Sequence, residues 1–391
     1  MSIYLDNAAT TKISIEVVDV MKKALEEDFG NPSSVYKIGR NSKSFLEDTR
    51  DEVASLINAD SKEIFFTSGG TEADNWAIKG IAEQYEKKGN HIITSKIEHH
   101  AVLHTCEYLE SKGFEVTYLD VDRDGFVNVE DLKKAIRPTT ILITIMFANN
   151  EIGTLQPIKE IGAIAKENNI IFHTDAVQAF GHVPIDVKEM NIDMLSISAH
   201  KIYGPKGVGA LYIRKGVVAK NLIHGGAQEK RKRAGTENTS SLIGFKKAVE
   251  LAKINMDYEL NEVSKLRDLC MELVEKEIPH IMINGSRDKR LPGNVNFSVR
   301  FIEGESLLLM LDMKDIYCSS GSACSSGSLD PSHVLMALGL THEEGHGSLR
   351  VSFGKYNTKE EVETFVKELK PIVERLRAMS PLYEDFIKNS K

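Results

Sequence analysis

Polar side chains stand at the ends of two short apolar segments, and their chemistry suits a phosphorylated ligand. Residues 170–174 and 194–198 are β-rich runs with the length of buried strands. In open α/β sheets, ligands bind outside the carboxyl ends of the strands, so we expect these side chains to share one crevice. The polar residues at the two strand ends are Asp175, Gln178, Ser198, His200 and Lys201.

Lys201 points to covalent chemistry with an aldehyde, because lysine amines form Schiff bases with carbonyl groups. The glycine-rich run 196–207 sets a hydroxyl and an imidazole beside a tight turn, which suits a phosphate. Pyridoxal phosphate combines both groups, and its chemistry needs a lysine and an acid partner for the ring nitrogen. Asp175 supplies that acid. Either residue alone would more often be a surface lysine or a helix cap, so the prediction depends on the pair.

A second anion site is predicted at residues 68–72, Ser-Gly-Gly-Thr-Glu, between a strand and a helix. Backbone N–H groups at a helix N-terminus and the Thr71 hydroxyl would face an anion there. We predict the helix over Thr71–Glu86, beginning with a capping-box pattern just inside Gly69 and Gly70. Taken alone, the same residues could be only a capped turn.

A lone cysteine, Cys324, stands in a run of serines and glycines at residues 319–328. This composition predicts a loop, and loops with a single reactive group commonly carry function. Free cysteine usually prefers burial, so a cysteine in such a loop is a candidate nucleophile. The alternative is an inert thiol in a linker.

Strands that alternate with helix-like segments must position these groups, and they predict βαβ units around a mainly parallel sheet. Helices are predicted between most of the strands, and one of them, Pro157–Asn168, begins with a favourable proline. The predicted strands are Ile64–Thr67, His91–Ser95, Glu115–Asp120, Ile141–Ala148, Ile170–Thr174, Met194–Ser198 and Ala210–Arg214.

A second, smaller α+β domain is predicted after a long polar helical stretch, Glu237–Glu277. We place the large domain at residues 13–257, and the small domain at 258–391 together with residues 1–12. The elements predicted for the small domain are Asn294–Val299, Glu303–Met313, Ser348–Phe353 and Thr358–Arg377, in the order strand, helix, strand, helix.

The composition is that of an ordinary folded protein of 391 residues with a net charge of −8, which argues against general attraction to nucleic acid or anionic lipid. The most apolar window, Ile141–Ala148, is far too short to span a membrane. The four cysteines lack the spacing of a zinc site and the density of a secreted framework, so we predict reduced thiols and a cytoplasmic location.

Three other motifs could indicate a different function, namely binding of calcium, of nucleic acid or of another metal ion. Residues 120–131 match an EF-hand loop at several positions, but a strand precedes them, so a polar strand-to-helix turn is favoured over calcium binding. The basic run 230–233 lacks interleaved aromatics, which favours a solvated loop near a subunit interface over a nucleic-acid site. His100 and His104 are taken as ordinary helix residues, and no metal site is predicted.

Spaced motifs from the first residues to about residue 375 resemble the NifS/IscS group of cysteine desulfurases, which are fold-type-I pyridoxal phosphate enzymes. The motifs are Tyr4–Thr11, Gly30–Ser34, Ser68–Glu72, Glu98-His99, Asn149–Gly153, Asp175–Gln178, Ser198–Lys201, Gly321–Cys324 and the strand around Arg350.

This resemblance implies a role for each matching residue. Lys201 would bind the cofactor and move a proton, Asp175 would pair with the ring nitrogen, and Gln178 would bind the phenolic oxygen. His99 would stack on the ring and exchange protons with the substrate. The phosphate ligands would be Gly70, Thr71, Ser198, His200 and, from the second subunit of a homodimer, Thr236, while Asn150 and Arg350 would take the substrate carboxylate.

The implied reaction removes sulfur from L-cysteine, leaves L-alanine and forms a persulfide on Cys324 for an iron–sulfur scaffold or another acceptor protein. A selenocysteine lyase or another class-V aminotransferase-like enzyme would share Lys201 and Asp175, so this alternative stays open. A non-enzymatic interaction scaffold is the alternative from a different class.

Overall fold

The computed structural model describes residues 2–320 and 331–389, which form three sheets flanked by helices. The strands are β1 Ile3–Tyr4, β2 Ile64–Thr67, β3 His91–Ser95, β4 Glu115–Leu119, β5 Thr140–Thr144, β6 Ile171–Asp175, β7 Met194–Ser198, β8 Gly209–Ile213, β9 Ile281–Ile283, β10 Asn294–Val299, β11 Ile316–Tyr317 and β12 Ser348–Ser352. The helices and helical turns are α1 Ile15–Glu27, α2 Lys37–Leu56, α3 Gly70–Tyr85, α4 His100–Glu110, α5 Val129–Ala135, α6 Ile158–Glu167, α7 Gln228–Arg231, α8 Thr239–Ile254, α9 Met256–Tyr258, α10 Ser264–Glu277, α11 Gly304–Asp312, α12 His333–Ala337, α13 His342–His346, α14 Lys359–Ala378 and α15 Pro381–Asn389.

The large sheet has seven strands in the order β2-β8-β7-β6-β5-β3-β4. Its strands are parallel except β8, which is antiparallel to both of its neighbours. The parallel strands β3, β5 and β7 are buried along their whole length, as expected for a sheet covered by helices on both faces. The predicted α/β class with a mainly parallel sheet is confirmed.

The predicted strand over Ile141–Ala148 is too long. Past Thr144, the amides of Ile145 and Phe147 still donate to carbonyls of β6, but the Met146 amide between them donates to the carboxylate of Glu98 instead of to a neighbouring strand. The regular strand β5 therefore ends at Thr144. Sequence hydrophobicity could not show this, because the partner is a buried acid almost fifty residues away in the chain.

The predicted capping box at Thr71 is wrong. Helix α3 begins at Gly70, and its N-cap is Gly69, which has no side chain to cap the first turn. The carboxylate of Glu72 reaches back to the Ser68 amide at 2.8 Å, so one half of a box forms without the other. The first-turn amides of α3 are therefore left without a side-chain cap.

The predicted stretch Glu237–Glu277 is two helices with a break between them. Helix α8 begins at Thr239, after the N-cap Asn238, and ends at Ile254. Asn255 breaks the helix, because its side-chain amide donates to the Leu251 carbonyl at 2.7 Å. A short helical turn and a π-helical turn, Glu259–Val263, then lead into α10.

The small sheet has the antiparallel order β12-β10-β9, and α10, α11 and α14 pack with it around a second hydrophobic core. The N-terminal strand β1 pairs in parallel with β11, and Ile3 and Leu5 are buried in this second core. This is the predicted small α+β layer. The division at residues 257 and 258 stays a prediction.

The acidic loop at residues 120–131 joins β4 to α5. The Asp122 carboxylate accepts the amides of Asp124 and Phe126, at 3.0 and 2.9 Å, so it stabilises a turn. Within residues 2–320 and 331–389, no group of three or more His, Cys, Asp or Glu side chains is arranged to hold a metal ion. None of the helices in these ranges is both long and apolar enough to cross a lipid bilayer.

Candidate active site

Lys201 lies in a short helical turn after β7, and its amine is held by the N-terminal segment. Its Nζ donates to the carbonyls of Ala8 at 2.6 Å and Ala9 at 2.7 Å. Gln178 donates its side-chain amide to the same Ala8 carbonyl at 2.9 Å. Two of the predicted cofactor residues are therefore joined through one backbone carbonyl.

Asp175 ends β6 and is almost fully buried. One carboxylate oxygen accepts the Val177 amide at 2.9 Å. Burial raises the pKa of Asp175, while the nearby His99 and Lys201 act in the opposite direction. A cation placed against this carboxylate would favour its ionised form, as the predicted contact with a protonated ring nitrogen requires.

The loop before α3 meets the loop after β6 and the end of β7. A Cβ atom on Gly70 would stand 2.5 Å from Val177 Cγ2, so only glycine allows the two loops to come this close. In the sheet, Gly209 of β8 lies between Ser198 of β7 and Thr67 of β2. The Ser198 hydroxyl faces Gly69. The uncapped N-terminus of α3 therefore opens beside a hydroxyl, as an anion site would.

His200 stands beside this loop region and is a neutral imidazole. Its Nδ1 lies 3.1 Å from the Thr10 hydroxyl, and the Thr11 hydroxyl donates to its carbonyl at 2.8 Å. Burial lowers the pKa of His200 to about 4, and the charges of Lys201 and Lys206 add to that shift. At neutral pH the ring has one N–H to donate.

His99 is the N-cap of α4, and its Nδ1 accepts the Ala101 amide at 3.1 Å. Burial lowers the pKa of His99, so the ring is neutral near pH 7. With Nδ1 accepting, the proton of the neutral ring lies on Nε2. Burial of His99 beside Asp175 and Lys201 brings three predicted catalytic or cofactor residues into electrostatic contact.

Glu98, next to His99, is fully buried. Its carboxyl accepts the Ser95 hydroxyl at 2.6 Å and the Met146 amide at 3.0 Å, and burial raises its pKa to about 8. The folded state thus binds more protons than the unfolded state between the ordinary pKa of 4.5 and about 8. Glu98 therefore costs stability progressively as the pH rises through that interval.

Glu98→Gln should remove this loss, because glutamine keeps the acceptor and carries no charge. Between pH 6 and pH 9 we expect the wild-type apoprotein to lose about 2 °C or more of melting temperature relative to Glu98→Gln. Glu83→Gln, on the exposed part of α3, is the matched control and should follow the wild type. If the melting temperatures of wild type and Glu98→Gln changed with pH in the same way, the raised pKa of Glu98 would be contradicted.

Arg350 lies in the middle of β12, with its guanidinium held on two sides. Nη1 donates to the Asn150 carbonyl at 3.0 Å, and Nη2 donates to the Asp6 carboxylate at 2.8 Å. Nε is buried and has no hydrogen-bond partner among the described residues. The structure thus brings Arg350 and Asn150 together, and the contact uses the Asn150 backbone.

Cys324 lies outside the described residues, but the chain on both sides of residues 321–330 is fixed at the site. Before them, Ser319 exchanges backbone hydrogen bonds with Arg350. After them, the Ser332 hydroxyl donates to the buried carboxylate of Glu151, and His333 Nε2 lies 3.0 Å from the Glu98 carbonyl. The described residues on either side of this segment therefore contact predicted site residues or their neighbours in sequence.

Thr236 is a predicted site residue that the structure does not join to the others. It is exposed, and no hydrogen bond within residues 2–320 and 331–389 connects it to them. Nearby, Arg233 forms a two-bond ion pair with Glu72, at 2.8 and 3.0 Å, in the first turn of α3. Arg233 belongs to the basic run 230–233, so part of that run is engaged with the protein itself.

Sequence reasoning missed the contribution of the N-terminal segment. Its Ala8 and Ala9 carbonyls and the Asp6 side chain contact predicted site residues. Backbone carbonyls leave no trace in residue type. Asp6 stood within a recognised motif, but its partner could not be read from the sequence because 344 positions separate it from Arg350.

Comparisons with known proteins agree with this architecture. Residues 3–365 match the family described as aminotransferase class-V. The chain is 58% identical over 391 residues to cysteine desulfurase IscS of Clostridium botulinum, covering all of this chain and 98% of the relative. It is also 58% identical to cysteine desulfurase IscS of Methanosarcina thermophila, over 97% of this chain and 94% of the relative.

A solved structure of a NifS-like protein superposes with a TM-score of 0.91 at 39% identity, covering 96% of this chain and all of the other. Sequence and structure thus agree over nearly the full length. The chain belongs to the class-V aminotransferase family and, within it, to the cysteine desulfurases.

Proposed function

We propose that this protein is a pyridoxal-phosphate-dependent enzyme that removes sulfur from L-cysteine, releases L-alanine and passes the sulfur on through Cys324. The observation that carries the proposal is that the ends of β6 and β7 place Asp175 and Lys201 side by side, with Gly70 at the uncapped N-terminus of α3 against the loop that follows Asp175, and the charges of Asp175 and Lys201 act on His99. Membership of the cysteine desulfurases supports the choice of substrate.

The residues fit pyridoxal phosphate by their chemistry. The amides of the first turn of α3, with Gly70, Thr71, Ser198 and His200, provide donors for a phosphate. A buried carboxylate, Asp175, suits the ring nitrogen, and Lys201 supplies the amine. When bound, the cofactor serves as an electron sink that weakens the bond between carbon and sulfur in the substrate.

The side chains of this protein then have separate tasks. Arg350 and Asn150 orient the substrate through its carboxylate, because a guanidinium matches a carboxylate in charge and shape. His99 exchanges a proton through Nε2, since its Nδ1 is engaged with the Ala101 amide. Gln178 donates to an acceptor oxygen, which at present is the Ala8 carbonyl. Lys201 moves a proton at the substrate carbon.

Cys324 completes the reaction as the sulfur acceptor. Its thiolate attacks the substrate sulfur, the carbon–sulfur bond breaks, and the persulfide remains on the protein while the carbon skeleton leaves as alanine. The persulfide sulfur is then available to a scaffold protein for iron–sulfur clusters or to another acceptor protein. A cytoplasmic location is part of the proposal, and the free cysteines Cys106, Cys270 and Cys318 support it.

The direct test is to add L-cysteine and a reductant to the protein loaded with pyridoxal phosphate. With the reductant, the expected products are alanine and sulfide, and in a parallel sample without reductant the protein should become heavier by one sulfur atom. A keto acid in place of alanine would identify an aminotransferase. Release of alanine from selenocysteine alone would identify a selenocysteine lyase.

A homodimer is also part of the proposal, in which Thr236 of each subunit binds the cofactor phosphate in the site of the other subunit. Large apolar side chains are exposed on and between α1 and α2, among them Ile15, Phe29 and Val35, and such surfaces mark protein interfaces. Sedimentation of the loaded protein should therefore give a dimer. An active monomer would contradict this.

Complementation tests the exchange of Thr236 directly. In a hybrid of one Lys201→Ala chain and one Thr236→Ala chain, the site built on the intact lysine receives an intact Thr236 only if that residue comes from the other chain. We expect co-expressed hybrids to recover about half of the wild-type activity per dimer. Inactive hybrids would show that Thr236 serves its own chain.

A further inference from the structure

Asp6 is the ionic partner of the guanidinium that the proposed function assigns to substrate binding. Its carboxylate receives Nη2 of Arg350 at 2.8 Å, with 4% of the Arg350 side chain and 20% of the Asp6 side chain exposed. A guanidinium this deeply buried is costly without an anionic partner. Asp6 thus stabilises the arginine charge before any substrate arrives.

The contact leaves part of the guanidinium available. Arginine has five N–H groups, and the described contacts use one on Nη1 and one on Nη2. The buried Nε–H has no partner among the described residues. Asp6 and the Asn150 carbonyl therefore fix the plane of the Arg350 guanidinium, while its other N–H groups remain available to a substrate carboxylate.

A second carboxyl competes for the same guanidinium. Glu151 is almost fully buried, burial raises its pKa to about 7, and the charge of Arg350 acts to lower it. The Glu151 carboxyl accepts the Ser332 hydroxyl and makes no hydrogen bond to Arg350. Without the Asp6 charge, Arg350 can pair instead with Glu151, an acid among the described residues on which its charge already acts, and that pairing would turn the guanidinium away from its present direction.

The backbone at Asp6 does not depend on its carboxylate. Ser352 donates its amide to the Leu5 carbonyl at 2.7 Å, and Asn7 donates its side-chain amide to the Ser352 carbonyl at 2.8 Å. The Tyr4 hydroxyl also donates to the Asp6 carbonyl at 3.0 Å. The Asp6 charge can therefore be removed while these hydrogen bonds keep the segment in place.

We propose that Asp6 is a positioning residue for the substrate carboxylate: it holds Arg350 in the orientation that receives the carboxylate of L-cysteine. The proposal rests on the proposed function, because it assigns Arg350 to the substrate. It adds that recognition is shared between the N-terminal segment and β12. Pre-organising a charged donor in this way improves binding by lowering the cost of ordering it.

Asp6→Asn tests the proposal, since asparagine keeps the shape and loses the charge. In the loaded protein we expect KM for L-cysteine to rise about tenfold to a hundredfold while kcat changes less than about threefold. The dissociation constant of L-alanine, read from the cofactor absorbance, should rise by the same factor. Ethylamine, an amine without a carboxylate, should bind equally to both proteins.

Matched variants separate positioning from general damage. Asp6→Glu should recover part of the affinity, and Asp19→Asn, which neutralises an exposed acid on α1, should match the wild type. In an Arg350→Ala background, Asp6→Asn should add little, because the two residues act as one unit. Asp6→Ser supplies a second uncharged variant if Asp6→Asn loses its cooperative unfolding.

Unchanged affinity for L-alanine in folded Asp6→Asn would overturn the proposal, as would equal weakening of ethylamine. The role of Asp6 and the proposed reaction can fail separately in these experiments. If the wild type bound L-alanine in an Asp6-dependent way but released no alanine from L-cysteine, the proposed reaction would fall and the role of Asp6 would stand. If the wild type did neither, both would be overturned.

Discussion

Cys324→Ala is expected to reduce alanine release from L-cysteine at least about a hundredfold, because a methyl group cannot accept sulfur. Binding of pyridoxal phosphate should persist, since none of the residues proposed to hold it belongs to residues 321–330. Addition of L-cysteine should still change the cofactor absorbance. The measurements are alanine production under reducing conditions and intact mass without reductant, which should show the added sulfur atom only when Cys324 is present.

Cys318→Ala is the matched control. Cys318 is partly buried against the small-domain core, and burial raises its pKa, so it remains an unreactive thiol near neutral pH. Its loss should leave most of the activity. Normal alanine production by Cys324→Ala would exclude the persulfide step and favour a lyase that acts without a covalent sulfur intermediate.

Lys201→Ala is expected to lose both the absorbance of the bound cofactor and at least about a thousandfold of activity. Alanine has no amine to bind the aldehyde and no group to move a proton at the substrate carbon. In the proteins without cofactor, the Ala9 carbonyl would also lose the Lys201 amine as a donor, and the Ala8 carbonyl would retain Gln178 but lose Lys201, so the N-terminal segment should exchange its amide hydrogens faster. Absorbance spectra, turnover and hydrogen exchange measure the three effects.

Lys206→Ala is the control for Lys201, because Lys206 stands on the same turn but is exposed. It should retain the cofactor absorbance and most of the activity. Borohydride reduction followed by peptide mapping identifies the attached lysine directly. A reducible adduct that survives in Lys201→Ala would show that another lysine carries the cofactor.

The sequence predicted the large sheet well because its strands are buried apolar runs that end in polar residues. Ile64–Thr67, His91–Ser95 and Met194–Ser198 have the predicted bounds. Side chains that follow β6 and β7 are near each other because carboxyl ends of parallel strands share one edge. The proximity of Asp175 and Lys201 follows from local signals plus this one rule.

Contacts between distant segments could not be predicted in the same way. Thr71 looked like the first residue of a capping box, but the turn starts one residue earlier because Gly70 must pass close to Val177. The break at Asn255 depends on a side chain that can either cap a helix or continue it. The role of Asp6 depends on β12, which lies at the other end of the chain.

The pairing of the N-terminal segment with β12 has a consequence for biosynthesis. Asp6 and Arg350 are 344 residues apart, so Asp6 must wait during synthesis of the residues between them before its partner exists. At about 5–20 residues per second, this delay is roughly 20–70 s. The large sheet can form during that time, whereas the Arg350 guanidinium gains its Asp6 partner only after β12 has been made. A nascent chain is therefore unable to recognise its amino-acid substrate until β12 has been made and has paired with the N-terminal segment.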